Sequence, residues 1–80
     1  MRRAGQVVRA TQGLAVVRTP PSEGSDHAEI PGIGTELVNE SLDAVGQVVD
    51  VFGPVDRPYL AVNPTGRDPA AMLGEKVYER

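Results

Sequence analysis

The sequence predicts an all-β fold, a small closed barrel of six strands formed by residues 1–80 as one domain. Short runs rich in valine and leucine recur between glycines and prolines, the pattern of several short strands. No stretch of useful length repeats apolar residues at helical spacing. Six short strands in 80 residues would leave unpaired edges in an open sheet, and closure into a barrel removes them. An open sandwich is the alternative arrangement of the same strands.

The strands are expected at residues 3–9, 14–18, 35–38, 43–52, 58–63 and 73–79. Gly5-Gln6-Val7-Val8 returns as Gly46-Gln47-Val48-Val49, which puts a glycine early in each of two strands. Glycine there marks a bulge or sharp bend, the device by which small barrels turn corners. Between the second and third strands, residues 19–34 hold Pro20, Pro21 and Pro31 together with Glu23, Asp26 and Glu29. With little alternation, this reads as a long acidic loop, mobile near Gly24 and Ser25. Before the last strand, Asp68 precedes Pro69, Ala70, Ala71 and Met72. An aspartate that accepts backbone N–H bonds, followed by a proline suited to a first helical position, predicts one short helical turn.

A chain of this length buries only about 60–65% of its unfolded surface, so a partner can add materially to its stability. There is no cysteine and only one histidine, which argues against disulfides and zinc-type sites. No apolar run approaches the roughly 20 residues needed to cross a bilayer. After Met1-Arg2-Arg3 the apolar residues are broken by Arg9, Thr11 and Gln12, so no signal-peptide core is expected. A cytoplasmic protein is the expectation. Eleven acids stand against eight bases, for a formal net charge of −3, and Lys76 is the only lysine. A mildly acidic chain is poorly suited to gripping phosphate backbones on its own.

Catalytic chemistry finds little support. His27, the only base of the usual neutral-pH kind, falls within the acidic loop, where a solvated residue is the simplest reading. Glu36 with Glu40, or Asp50 with Asp56, are pairs of carboxylates with nothing in the sequence to place them in a cleft. Gly32-Ile33-Gly34 lacks the third glycine and the helix start of a dinucleotide loop, and no lysine follows at phosphate-loop spacing. No cofactor or metal is expected, and the chain is not expected to be an enzyme. Stacking platforms for single-stranded nucleic acid are limited to Phe52, Tyr59 and Tyr78, with Arg57 and Lys76 as their basic company.

The most informative run is Val48-Val49-Asp50-Val51-Phe52-Gly53-Pro54-Val55-Asp56-Arg57-Pro58-Tyr59. A valine-rich strand enters a Gly-Pro turn, and the next strand opens on proline and tyrosine. Pro54 and Pro58 stiffen this connection, so little ordering entropy is left to lose when a partner arrives. The simpler reading makes Phe52 and Tyr59 core residues at one barrel end and the prolines mere stiffeners of a hairpin.

At these residues the chain resembles the Gar family of H/ACA guide-RNA pseudouridylation particles, and its archaeal members in particular. The pattern Gly-x-Val-x-x-Val/Ile-Phe-Gly-Pro-Val-x-x-Pro-Tyr is met across 46–59. The likeness continues in the opening strand at 3–8, in Gly-Leu-x-Val-Val-Arg-Thr at 13–19 and in Gly-Glu-x-Val-Tyr at 74–78. It implies a barrel similar to the second domain of translation elongation factors. It also implies a non-catalytic subunit that binds the catalytic domain of the pseudouridine synthase. There it would bias a mobile loop between two states, assisting substrate RNA loading and product release during rRNA processing and ribosome biogenesis. A partner shifts such an equilibrium only by binding the two states differently.

The particle would also hold a zinc-ribbon protein and a kink-turn-binding protein, with guide RNA and substrate RNA met indirectly through the complex. The partner-binding residues expected on this resemblance are Gly46, Val48, Val51, Phe52, Gly53, Pro54, Val55, Pro58 and Tyr59. Left vacant, such an apolar face could pair with a copy of itself. The lysine- and arginine-rich tails of many relatives have no counterpart in these 80 residues, so RNA contact through a tail is not expected here. The alternative reading is an RNA-binding or ribosome-maturation barrel that touches RNA directly.

Overall fold

In a computed structural model, residues 2–19, 31–54, 57–66 and 68–80 are described. Among them six strands close into an antiparallel barrel: β1 (Arg2–Thr11), β2 (Leu14–Arg18), β3 (Glu36–Asn39), β4 (Ala44–Phe52), β5 (Tyr59–Pro64) and β6 (Lys76–Glu79). The order around the barrel is β1-β2-β5-β4-β3-β6, and β6 returns to β1. The expected closed barrel is therefore present and the open sandwich is not.

Valines supply most of the interior. Val7, Val17, Val45, Val48, Val62 and Val77, with Leu37 and Leu60, lie at 0–1% exposure around the axis. β-branched side chains fit this role because they fill the pleated surface at little rotamer cost. One end of the barrel is stopped by a 3-10 turn, Pro69–Met72, whose Met72 side chain is fully buried among the core valines. Asp68 caps that turn as its sequence suggests, its Oδ1 accepting from Ala70 N at 2.9 Å.

The repeated Gly-Gln-Val-Val segments occupy equivalent places in two halves of the barrel. Gly5 and Gly46 each present a bare Cα to a neighbouring strand, where a Cβ would run into the carbonyl of Arg18 or of Asn63 respectively. Gln6 and Gln47 donate their side-chain amides to Gly74 and Gly34 carbonyls at 3.0 and 3.2 Å. Val7 N donates to Glu75 O while Gly74 N donates to Val7 O; Val48 N donates to Thr35 O while Gly34 N donates to Val48 O. A register shift follows at Val8 and again at Val49. The set β6-β1-β2 thus matches the set β3-β4-β5, pair by pair. Val16 and Ala61, which face each other across the β2–β5 ladder, and Val38 and Tyr78, across β3–β6, mark where the approximate two-fold axis passes.

Several strand limits differ from expectation. The last strand begins at Lys76, because Leu73 and Gly74 form a turn and Glu75 N bonds Met72 O. β5 begins at Tyr59, because Pro58 has no N–H and its carbonyl is taken by the Thr19 N–H and hydroxyl. β3 runs from Glu36 to Asn39 and β4 begins at Ala44, since Asn39 Oδ1 gathers Ser41 N and Asp43 N into a tight loop between them. Of the acidic loop, Thr19 and Pro31 are buried and Gly32–Gly34 form a turn. Its remainder, with Glu23, Asp26, His27 and Glu29, lies outside the described residues.

Candidate partner-binding face

Alternation in a barrel strand sends neighbouring side chains to opposite sides, and this sorts the candidate residues. Val48 is at 0% exposure in the core, Val51 packs partly buried against it, and Gly46 sits under the Asn63 carbonyl. Pro58 is buried as well. Gly46, Val48 and Pro58 are thus buried and support the exposed positions beside them, while Val51 keeps part of its surface. Phe52, Gly53 and Pro54 are exposed and Tyr59 is half-buried. Val55 lies outside the described residues.

Phe52 and Tyr59 are direct partners in the β4–β5 ladder. Their rings stand 5.7 Å apart between centroids at 60°, within the range in which tilted aromatic pairs attract. Phe52 keeps 43% of its surface exposed, so the pair lies on the outer wall of the barrel. The reading of both as core residues is set aside for Phe52.

The face is wider than the sequence motif. Val8, on β1, is 47% exposed at its bulge, and Val16, on β2, points away from the core cluster although little of it is exposed. Together with Arg9, Thr11, Phe52 and Tyr59 they line a groove of about 350 Å³ that crosses the four adjacent strands β1, β2, β5 and β4. Alternation does not separate Val8 from Val7 or Val16 from Val17, because apolar runs leave inside and outside undecided. The paired valines after each glycine are the one available hint, since a bulge turns the second valine outward.

The approximate two-fold also shows where the two halves part company. Thr11 and Leu14 occupy the places that Phe52 and Tyr59 hold in the other half, and a two-residue turn, Gln12-Gly13, stands where residues 53–58 run in the other. The aromatic pair and its proline-bearing connection therefore belong to one side of an otherwise repeated cylinder.

A second concavity, of about 220 Å³, adjoins the first at Val8 and is lined by Arg3, Arg18 and Arg57 above Gly5. Arg57 Nε donates to the Thr19 carbonyl at 3.2 Å. Among the described residues no group of three or more His, Cys, Asp or Glu side chains is placed to hold a metal ion. No helix among them is long and apolar enough to cross a membrane.

Residues 1–79 match the family model described as the Gar1/Naf1 RNA binding region. A solved structure described as the Gar1 domain of NAf1 is similar over 98% of this chain and 79% of that one, at 17% identity and a TM-score of 0.70. At that identity the likeness speaks for the fold. No curated protein matches the chain. With nearly its whole length matched, the chain belongs to the Gar1/Naf1 RNA binding region family.

Proposed function

We propose that this barrel is a non-catalytic subunit of an H/ACA ribonucleoprotein, and that it binds the catalytic domain of the pseudouridine synthase through the face built on Phe52, Gly53, Pro54 and Tyr59. Family membership supports the association with such a particle. The observation that carries the placement is the half-exposed aromatic pair, present in one half of the repeated barrel and continued by Val8 and Val16 into an apolar groove. Aromatic anchors beside a groove are where binding energy concentrates. The stiff backbone of Pro54 and Pro58 limits the entropy lost on docking.

In this reading the subunit does no bond-making. It favours one arrangement of the synthase over another by contacting them unequally, and so speeds substrate RNA entry and product departure. The test is a pull-down of the synthase by the full chain, followed by multiple-turnover pseudouridylation with and without it. Phe52→Ala, and Pro54→Ala combined with Val55→Asp, are expected to lose most of the synthase affinity while the barrel still melts cooperatively. Retained affinity in both variants overturns the placement.

A second reading, direct contact with RNA, is favoured by the family's description and by the arginine-lined concavity. A salt-sensitive gel shift of RNA by the isolated chain supports it.

A further inference from the structure

The arginine-lined concavity is unusual in this chain. The protein carries a net charge of −3, yet the described residues that line this hollow include three arginines and no carboxylate. They come from three separate places: Arg3 on β1, Arg18 at the end of β2, and Arg57 just before β5. Convergence of like charges from distant positions opposes folding unless an anion offsets it.

The hollow is also built. Gly5 forms its floor, at φ +149 and so close to the Arg18 carbonyl that no side chain fits. Arg57 is held by its Nε bond to the Thr19 carbonyl and lines the hollow. Thr19 itself is buried and anchored to Pro58. A guanidinium fixed through one nitrogen loses less freedom on binding than a free one, and its planar fork suits a carboxylate or a phosphate.

We infer that the apolar groove and the arginine hollow form one continuous docking track, whose occupant is a segment of the partner protein carrying apolar side chains followed by acidic ones. This rests on the function proposed above and adds the chemistry of the segment recognised. Continuity supports it. The two concavities share Val8, and Tyr59 of the groove pairs with Arg18 of the hollow across the β2–β5 ladder. The apolar side chains fill the groove against Val8, Val16 and the aromatic pair, and the carboxylates meet Arg18 and Arg57.

A protein segment fits better than RNA for a reason of charge. A polynucleotide brings a phosphate at every step and needs cations along its whole path. Beyond the hollow, the groove offers it Arg9 alone among Val8, Thr11, Val16, Phe52 and Tyr59, so most of the path carries no cation. One or two carboxylates in a folded partner need only the local cluster.

The experiment titrates the intact pseudouridine synthase with the full chain at low and at high ionic strength, and in parallel titrates a single-stranded RNA oligonucleotide. The variants are Arg3→Glu with Arg18→Glu, the charge-keeping Arg18→Lys, and Phe52→Ala. The double reversal is expected to weaken synthase binding at least tenfold at low salt and to flatten its salt dependence, with an unchanged melting curve. Arg18→Lys keeps the salt dependence at reduced affinity, and Phe52→Ala lowers affinity at every salt concentration alike. Unchanged synthase binding by the double reversal overturns the inference while leaving the proposed function standing. Loss of RNA binding alone in that variant also overturns it and assigns the hollow to phosphate. A wild-type chain that forms no complex with the synthase overturns the function and the inference together.

Discussion

The Thr19 hydroxyl donates a 2.7 Å hydrogen bond to the carbonyl of Pro58, and both groups are buried. This bond joins the end of β2 to the start of β5 at the foot of the aromatic pair. Thr19→Val keeps the shape and removes the donor, leaving the carbonyl with only the longer bond from Thr19 N, at 3.4 Å. The expected cost is about 1–2 kcal/mol, seen as a fall in Tm of about 4–8 °C per kcal/mol for a domain of this size. An unchanged Tm would show that the carbonyl finds another donor.

Gly46→Ala is expected to destabilise the barrel by about 1–3 kcal/mol. Its new methyl meets the Asn63 carbonyl and, at 2.9 Å, the Pro64 Cα, so β4 and β5 must part. Gly32→Ala is the matched control, because a Cβ there meets nothing within 4 Å. That change is expected to add about 0.4–1 kcal/mol by restricting the unfolded chain. Denaturant titrations of the two variants compare close approach with backbone freedom, and equal effects would remove packing as the reason for Gly46.

Two turns leave stability unclaimed. Gln12 and Gly13 close the β1–β2 hairpin with φ of 52° and 75°, the positive-φ pair at which Asn-Gly is favoured. Leu42 sits at φ 67° with 62% of its surface exposed, a conformation that disfavours a branched apolar side chain. Gln12→Asn and Leu42→Asn are each expected to raise stability by about 0.5 kcal/mol, since asparagine tolerates the left-handed region. Chemical denaturation of the double variant should show the two gains adding, as the sites lie in separate loops.

The strand content was readable because β-branched residues and glycine-proline punctuation act locally. The cap at Asp68 was readable for the same reason, since its bond spans two residues. The start of β6 was not: Leu73 looks like a strand residue, and only the turn that follows Met72 into the core shows otherwise. Inside and outside were also hidden, because the bulges at Val8 and Val49 break the alternation from which a face is read. The aromatic half of the candidate site lay in one motif. Its other half, Val8 and Val16 with the arginines, is gathered from strands that the sequence gives no means of placing side by side.

The ladder that closes the barrel joins Arg2 to Glu79 and Gln6 to Lys76. The ladders within β1–β2 and within β3-β4-β5 join strands adjacent in sequence and do not need β6, but the valine faces stay uncovered until β6 is in place. Without β6 the ladders leave β1-β2-β5-β4-β3 as an open sheet with its apolar face uncovered and both edges unpaired, and the entropy of bringing distant segments together must be met before that surface is hidden. Nascent chains of this kind are prone to mispair with one another. For this barrel, the interval between the emergence of β5 and of β6 is the time at which a chaperone or an early partner has most to protect.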